Sequence, residues 1–324
     1  MKTLITGAAG YIAGNITKRM VEKNKPIKVF VRETEDLRLL KKLNIEMCFG
    51  ALQDKKSIEK AMNGVDRIIH CAAYVSDWGN KKDFYEANVL GVKNMVEEAI
   101  KTKKIKKFTH ISTTDVYGSP SIPVDENAPL IDNGPHYPHT KIQGEHVVWE
   151  AYRTHALPIT IIRPGTVIGP GKNIIITELI HYLKKGILFI DDGKLDAGLV
   201  FIDNLVEGII NATFQENTTG QAYNMLDNYQ VTFRKFIQDI AAGLHISYKS
   251  YNVSFSTAYK IACALEYFYL LLPRRFKPPL TREAVFIMGR PQNHSTEKAK
   301  KDILYQSTIR YEECIKRILH QIND

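Results

Sequence analysis

A tyrosine and a lysine four residues apart could transfer a proton in this chain of 324 residues. Tyr137 and Lys141 stand in the segment Tyr-Pro-His-Thr-Lys, and Pro138 suits the first turn of a helix. A spacing of four places both side chains on one face of that helix. Because a nearby ammonium favours the phenolate form, the pair predicts a general acid and base for chemistry at an oxygen atom.

Hydroxyl residues follow an apolar run upstream of this pair. The run ends at Ile111 and continues into Ser112, Thr113 and Thr114. Open α/β sheets bind their ligands at the carboxyl ends of the strands. A hydroxyl at this place could hydrogen-bond a reacting carbonyl or alcohol.

A glycine-rich turn stands near the beginning of the chain. Residues 6–14 read Thr-Gly-Ala-Ala-Gly-Tyr-Ile-Ala-Gly, directly after a short apolar run. Gly7 and Gly10 permit a tight bend, bring backbone N–H groups close to a pyrophosphate and direct a helix N-terminus at its charge. The turn therefore predicts a dinucleotide site.

The second apolar run ends before Arg32, about twenty residues after the glycine turn. An arginine there can pair with the 2′-phosphate of NADP, whereas an acidic residue accepts hydrogen bonds from the ribose of NAD. Glu33 follows directly, so NAD stays open as the alternative, and we favour NADP.

The elements that must position these groups are visible as short apolar runs alternating with amphipathic, helix-length stretches. The runs are continuous rather than alternating, which is typical of strands covered on both faces. They lie at residues 4–5, 29–31, 47–49, 68–71, 108–111 and 159–162. This pattern predicts an α/β chain with a doubly wound parallel sheet, the Rossmann fold.

The alternation weakens after about residue 165. We expect a Rossmann domain over residues 1–170, with returns to it near 197–226, and a smaller, interleaved C-terminal substrate-binding region over 171–324. Residues 200–204 and 222–225 are the expected short returns.

Together these motifs resemble the extended short-chain dehydrogenases/reductases, the NAD-dependent epimerase/dehydratase superfamily. The resemblance rests on TGxxGxxA at residues 6–13, Ser-Thr-Thr-Asp-Val-Tyr-Gly at 112–118 and the Tyr137/Lys141 pair. It implies catalysis by Thr113, Tyr137 and Lys141, with Ser112 as the neighbouring alternative to Thr113. It also implies a set of cofactor contacts: Gly7, Gly10, Tyr11, Ile12, Arg32, Ala72, Ala73, Asn88, Tyr137, Lys141 and Pro164.

The segment Arg163–Gly171 narrows the resemblance to one branch. Sugar-nucleotide epimerases and dehydratases usually carry asparagine where Thr166 stands, whereas the Arg-Pro-Gly form resembles 3β-hydroxysteroid dehydrogenases, sterol carboxylate dehydrogenases and 2-alkyl-3-oxoalkanoate reductases. This implies an NAD(P)-dependent oxidoreductase that interconverts a secondary alcohol and a ketone on a sterol-like substrate or a long-chain 3-oxo acid. The alternatives are a nucleotide-sugar epimerase or dehydratase, and an NADP-binding sensor or scaffold without turnover.

Residues 254–272 form the most apolar helix-length stretch. Lys260 and Glu266 inside it argue against a helix that spans a membrane. We expect a lid or core helix over an apolar pocket, with a peripheral membrane contact as the alternative. Six aromatic residues of the region are candidate pocket-lining residues: Tyr251, Phe255, Tyr259, Tyr267, Phe268 and Tyr269.

Charge and cysteine content limit the remaining choices. The net charge of +9 comes from scattered residues, so we expect no nucleic-acid partner, although a basic surface favours anionic ligands. The four cysteines show no metal or disulfide spacing, and no metal site is expected. The chain begins with a strand rather than a cleavable leader, which predicts a cytoplasmic protein. Membrane association and a homodimer stay open.

Overall fold

The computed structural model describes residues 2–118, 120–273 and 276–323. Within them, seven parallel strands form the main sheet in the order β10-β6-β5-β4-β1-β2-β3. The strands along the chain are β1 Lys2–Thr6, β2 Ile27–Val31, β3 Glu46–Phe49, β4 Val65–His70, β5 Lys107–Ile111, β6 Ile159–Pro164, β7 Thr166–Ile168, β8 Ile187–Ile190, β9 Leu199–Phe201, β10 Gln221–Met225 and β11 Ser250–Val253.

Helices cover both faces of this sheet. Neighbouring residues of β1 show the alternation, because Ile5 packs into one core with Ile16 and Ile209, whereas Leu4 packs into a second core with Met95. The α-helices are α1 Tyr11–Glu22, α2 Arg38–Lys41, α3 Lys55–Met62, α4 Lys81–Tyr85, α5 Gly91–Thr102, α6 His136–His155, α7 Ile174–Lys185, α8 Ile202–Phe214, α9 Phe233–Gly243, α10 Phe255–Leu270, α11 Arg282–Gly289, α12 Glu297–Ile303 and α13 Tyr311–Asn323. The predicted doubly wound Rossmann fold is confirmed.

The strand order reverses between β1 and β4. From β1 the chain adds β2 and β3 on one side, and from β4 it adds β5, β6 and β10 on the other. The crevice at the carboxyl ends of β1 and β4 is the place where doubly wound sheets bind dinucleotides. It brings the glycine turn after β1 next to the segment after β4.

The two expected returns to the cofactor domain take different forms. β10 pairs with β6 and extends the main sheet. β9 pairs in parallel with β7 in a separate two-stranded sheet, but Val200 and Ile202 pack into the same core as Ile5 of β1. β8 and β11 form another such sheet. The domain boundary at residues 170–171 remains a prediction.

α10 is less buried than a lid or core helix would be. Only Ala258 and Ala262 of this helix are buried, in a small core with Ile190 and Val285. Tyr251, Tyr267 and Phe268 are exposed, so the expectation that they line a pocket was wrong. Among the described residues, no helix is both long enough and apolar enough to cross a bilayer.

Candidate active site

The glycine turn leaves the end of β1 in a backbone conformation that suits a close ligand. Gly7 has φ +70°, and a Cβ built on it would lie 2.8 Å from the Cα of Ala72. Gly10 donates its N–H to the Gly7 carbonyl at 2.8 Å and caps α1. A side chain at residue 7 would therefore collide with the segment after β4 and require a left-handed backbone.

Contacts on both sides of the turn fix it in the crevice. Thr6 Oγ1 shares a 2.8 Å hydrogen bond with His70 Nδ1 and accepts the Ala72 N–H at 3.1 Å, which joins the ends of β1 and β4. Tyr11, the first residue of α1, donates its hydroxyl to the Pro170 carbonyl at 2.9 Å. Ile12 follows it in the first turn of α1, and Ala73 follows Ala72.

Arg32 lies directly after β2 with its side chain 66% exposed. Its guanidinium contacts Glu35 through Nε at 3.1 Å and Nη2 at 3.0 Å. Glu33, the alternative ribose contact, is also exposed. Lys172 pairs with Asp36 at 2.8 Å near the same edge. Several charged groups of both signs thus surround the end of β2.

Lys141 is buried on α6 and directs its ammonium at the end of β5. Its Nζ donates to the Ile111 carbonyl at 2.6 Å. Burial lowers the pKa of Lys141 to about 8, while the charge of Glu145 opposes this shift. The ammonium therefore lies beside the strand that leads into Ser112 and Thr113.

Tyr137 lies one helical turn before Lys141, as the spacing predicts. Burial raises the pKa of the Tyr137 phenol, and the charges of Asp115 and Glu283 raise it further, while a hydrogen bond with Thr113 lowers it. The sequence predicted that Lys141 would lower the pKa of Tyr137, but this pKa is raised. The ammonium of Lys141 donates its hydrogen bond to the Ile111 carbonyl, whereas burial and two carboxyl groups act on the phenol.

Thr113 and Ser112 have different surroundings. Thr113 Oγ1 donates to Asp115 Oδ2 at 2.7 Å and accepts the Asp115 N–H at 3.2 Å. Ser112 is buried, and its hydroxyl has no hydrogen-bond partner among the described residues. A hydrogen bond between Thr113 and Tyr137 lowers the pKa of the phenol. The choice of Thr113 over Ser112 as the catalytic hydroxyl remains a prediction.

Asn88 and Pro164 lie behind this centre. The Asn88 amide accepts the Tyr74 N–H at 2.8 Å, donates to the Tyr74 carbonyl at 3.0 Å and donates to Thr140 Oγ1 at 3.1 Å. It therefore ties the segment after β4 to α6. Pro164 is buried as the last residue of β6 and lies opposite Met225 of β10.

One family model covers the main sheet from the second residue of β1 onward. The model describes the NAD dependent epimerase/dehydratase family and matches residues 3–225, from β1 to the last residue of β10. The chain belongs to the NAD-dependent epimerase/dehydratase family. The predicted family and the predicted class of NAD(P)-dependent oxidoreductase are thereby confirmed.

Three relatives of this family member come from the expected branch. The chain is 26% identical to a 4-hydroxy-2-methyl-3-oxo-4-farnesyl-3,4-dihydroquinoline-1-oxide ketoreductase of Stigmatella aurantiaca, over 97% of this chain and 94% of the relative. It is 26% identical to a 2-alkyl-3-oxoalkanoate reductase of Stenotrophomonas maltophilia, over 98% of both. It is 24% identical to the decarboxylating sterol-4-alpha-carboxylate 3-dehydrogenase of Mus musculus, over 99% of this chain and 91% of the relative.

A solved structure shares the fold over the full length. The UDP-glucuronic acid 4-epimerase of Bacillus cereus, in complex with UDP-glucuronic acid and NAD, matches with a TM-score of 0.80 at 20% identity. The match covers 100% of this chain and 99% of that chain. At this identity the likeness shows the fold alone.

The residues present in this family member fit a nicotinamide dinucleotide. A Cβ on Gly7 would lie against the backbone N and Cα of Ala72, and Gly10 is the N-cap of α1. Backbone N–H groups and the helix dipole at such a place attract a pyrophosphate. The family model describes NAD-dependent enzymes, which supports NAD(P) binding but does not distinguish NAD from NADP.

Sequence reasoning missed several groups around the centre. Asp115 and Glu283 carry charges that act on Tyr137. Arg163 is buried and binds the Glu145 carboxylate at 2.9 and 2.6 Å and the Tyr117 hydroxyl at 2.7 Å. The acidic residue inside the Ser-Thr-Thr-Asp segment was a visible signal for Asp115. No local pattern marks Glu283, because α11 brings it to the site from about 150 residues away in sequence.

Proposed function

We propose that this enzyme interconverts a secondary alcohol and a ketone on a hydrophobic small molecule. The observation that carries this proposal is the hydrogen bond between Tyr137 and Thr113, next to the Lys141 ammonium that donates to the Ile111 carbonyl at the end of β5. A bound nicotinamide would supply or accept the hydride. The side chains of the chain supply the rest of the chemistry at the substrate oxygen.

Each of the three catalytic candidates has a distinct task. In the reducing direction, Tyr137 donates its phenolic proton to the oxygen of the ketone as the carbon gains hydride. Thr113 hydrogen-bonds the same oxygen and orients it. Lys141 lies one turn further along α6, where its ammonium would hold the ribose hydroxyls of a bound cofactor and favour the phenolate of Tyr137.

The hydrophobic class of substrate is supported by the relatives' names and by Thr166. Two relatives are named for a sterol carboxylate and for a farnesyl-bearing quinoline oxide. Thr166 lies in β7 where sugar-nucleotide enzymes usually carry asparagine. A sterol-like ketone and a long-chain 3-oxo acid are both candidates, and a sugar diphosphate is the rival.

The proposal is tested by following oxidation of NADH and NADPH with a panel of hydrophobic ketones and long-chain 3-oxo acids. We expect turnover that Tyr137→Phe lowers by at least a hundredfold with nearly unchanged cofactor affinity, in line with the usual contribution of general acids. Tyr85→Phe is the matched control, because Tyr85 is exposed on α4. Turnover of UDP- or dTDP-sugars instead would support the epimerase alternative. Tight cofactor binding without turnover of any substrate would support the sensor.

We also propose that the cofactor is NADP. Arg32 is exposed at the end of β2, where its guanidinium can exchange Glu35 for a 2′-phosphate. We expect Arg32→Ala to raise the KM for NADPH about tenfold or more and to leave the KM for NADH nearly unchanged. Equal effects on both cofactors would contradict this preference.

We further propose that the apolar end of α10, residues 267–271, contacts an anionic lipid surface. Tyr267 is 73% exposed and Leu271 75% exposed, with Phe268 and Leu270 exposed between them. Apolar side chains in such numbers are rarely left together in water. Residues 255–277 contain four basic residues and one acidic residue, and this sequence balance favours anionic over neutral lipid headgroups. Arg274 and Arg275, two of the four, lie outside the described residues.

Glu266, just before this apolar end on α10, accepts hydrogen bonds from the Arg282 backbone N–H at 2.7 Å and from Arg282 Nε at 2.6 Å. Arg282 begins α11, whose next residue, Glu283, raises the pKa of Tyr137. The apolar end is therefore attached to an element that influences the proposed catalytic phenol.

Co-sedimentation with lipid vesicles tests the membrane contact. We expect binding to vesicles of phosphatidylcholine with phosphatidylserine, and weaker binding to phosphatidylcholine alone. The double variant Leu270→Ser/Leu271→Ser should lose most of the binding, whereas Leu304→Ser, at a residue 71% exposed elsewhere, should keep it. If the double variant instead turns a dimer into a monomer and vesicles bind neither protein, the patch is a homodimer interface and the membrane proposal is wrong.

A further inference from the structure

A buried ion pair between Arg163 and Glu145 joins two segments of the catalytic centre. The Arg163 guanidinium donates to the Glu145 carboxylate through Nε at 2.9 Å and through Nη2 at 2.6 Å. The Arg163 side chain is 4% exposed and the Glu145 side chain 0%. Arg163 directly precedes Pro164 at the end of β6, and Glu145 lies on α6. Because two parallel hydrogen bonds fix the angle between the groups as well as their distance, the carboxylate is held in place.

The same carboxylate lies close to Lys141. Glu145 follows Lys141 by four residues within the continuous helix α6, a spacing that brings two side chains to one face with Cβ atoms about 5–6 Å apart. The sheet leads to the same place. Lys141 Nζ donates to the carbonyl of Ile111 on β5. The register partner of Ile111 is Ile162, which directly precedes Arg163 on β6.

The third contact of the guanidinium reaches the segment that carries Thr113. Arg163 Nη1 donates to the Tyr117 hydroxyl at 2.7 Å, and this hydroxyl donates to Asn224 Oδ1 at 2.7 Å. Tyr117 follows Thr113 by four residues in the segment after β5. Arg163 therefore binds the catalytic helix and the hydroxyl segment at the same time.

The titratable groups around Lys141 have widely separated pKa values. Burial raises the pKa of Cys71, after β4, to about 12 and lowers the pKa of His70, on β4, to about 3. Burial also holds the pKa of His110 on β5 well below 6.5, and it raises the pKa of Tyr137 on α6 above 10. The pKa of Lys141 itself is lowered by burial to about 8, while the charge of the carboxylate one turn away raises it. Lys141 is therefore the member of this set that titrates just above neutral pH.

We infer that Glu145 is a positioning residue that keeps Lys141 in its ammonium form, and that Arg163 holds the Glu145 carboxylate where it can do so. This inference rests on the proposed function, in which Lys141 holds ribose hydroxyls and favours the phenolate of Tyr137. A neutral amine would donate weaker hydrogen bonds to the ribose and would lack the charge that stabilises a phenolate. A carboxylate one helical turn away offsets part of the cost of burying the ammonium.

The pH profile of ketone reduction tests the role of Glu145. We expect wild-type kcat/KM to fall above pH about 8, where Lys141 loses its proton. Glu145→Gln keeps the size of the side chain and removes its charge, so the fall should begin about one pH unit lower. Asp115 and Glu283 act on the phenol in wild type and variant alike, so they do not account for a difference between the two profiles.

Glu150→Gln is the matched control. It makes the same change at an exposed position of α6 and should leave the profile unchanged. Glu145→Asp keeps a carboxylate at the buried position, so its profile should lie closer to that of wild type than the profile of Glu145→Gln does.

The double variant Arg163→Met/Glu145→Leu separates this role from a merely structural one. It removes both charges of the pair together, so neither is left buried without its partner, and it should be more stable in urea than Arg163→Met alone. Its kcat/KM should nevertheless begin to fall about one pH unit below that of wild type, because Lys141 still lacks the carboxylate. A structural role predicts instead that the profile recovers together with the stability.

The affinity for NADPH and NADH, measured by titration calorimetry over the same pH range, is a readout that does not depend on turnover. We expect the affinity to weaken above pH about 8 in wild type and about one unit lower in Glu145→Gln, because a neutral Lys141 binds the ribose less strongly. If this shift is found but no ketone is reduced, the proposed function is wrong and the role of Glu145 stands. If ketones are reduced and Glu145→Gln or the double variant keeps the wild-type profile, the function stands and the role of Glu145 is refuted.

Discussion

Two buried histidines in the centre of the sheet should make the protein sensitive to mild acid. His70 of β4 and His110 of β5 are register partners, each 1% exposed, with ring centroids 5.7 Å apart. His70 Nδ1 bonds Thr6, but His70 Nε2 and both ring nitrogens of His110 have no partner among the described residues. Among the described residues, no acidic group acts on either ring to stabilise its protonated form.

The direction of the effect follows from the pKa shifts. Burial lowers the pKa of His70 from 6.5 to about 3 and holds the pKa of His110 well below 6.5, and the charge of Lys141 lowers both further. Below pH 6.5 the unfolded chain binds a proton at each histidine that the folded chain does not bind. Stability is therefore lost as the pH falls from about 6.5 toward 3, by roughly 1.4 kcal/mol per pH unit for each residue. For His70 the full loss is on the order of 5 kcal/mol.

His110→Phe tests this reasoning, because it removes the titrating group, keeps an aromatic ring and breaks no hydrogen bond. We expect the free energy of unfolding, measured by urea denaturation from pH 7 to about 4.5, to fall less steeply in the variant, by roughly 1.4 kcal/mol per pH unit below pH 6. His110→Leu is a smaller second variant in case the larger ring overpacks the site.

His155→Phe is the matched control, since His155 is exposed at the end of α6. It should leave the slope unchanged. Buried carboxyl groups such as Asp115, whose pKa is raised, oppose the histidines over part of this range but contribute equally to wild type and variants. Equal slopes for wild type and His110→Phe would refute the reasoning.

Three other substitutions test the glycine turn and the buried polar contacts of Arg163 and Asn88. Gly7→Ala should weaken NAD(P) binding at least tenfold by titration calorimetry, because the added Cβ meets Ala72 at 2.8 Å. An unchanged affinity would contradict the proposal that the glycine turn binds the dinucleotide. Arg163→Met leaves the fully buried Glu145 carboxylate unpaired and should lower the free energy of unfolding by about 3–5 kcal/mol in urea, part of which Arg163→Met/Glu145→Leu should restore. Asn88→Ala should cost about 1–3 kcal/mol in the same assay, because the Tyr74 backbone loses both of its partners, and a neutral result would show that water replaces them.

The fold could be predicted because its strands carry their own signal. Continuous apolar runs such as Val29–Val31 are required in a sheet covered on both faces, and all of them became strands. The glycine turn was equally informative. Residue 7 has a positive φ and lies so close to Ala72 that a Cβ would not fit, and glycine is the residue type that meets both requirements. These signals are local, so one sequence is enough to read them.

The C-terminal region could not be predicted in the same way. The apolar residues at 254–272 are compatible with a core helix and with a surface helix. Amino-acid composition does not indicate which face of the helix is covered by another element. Glu283 is a similar case. Its charge affects the pKa of Tyr137 although the two residues are about 150 positions apart, and no spacing in the sequence indicates that relation.

The spacing of Tyr137 and Lys141 predicts nearness but not the protonation state of the phenol. Lys141 donates to the end of β5, while burial and the charges of Asp115 and Glu283 keep Tyr137 protonated. A protonated phenol is the form that can donate to a ketone oxygen. Oxidation of an alcohol needs the phenolate, which burial and the two carboxyl groups disfavour unless a positive charge lies beside it.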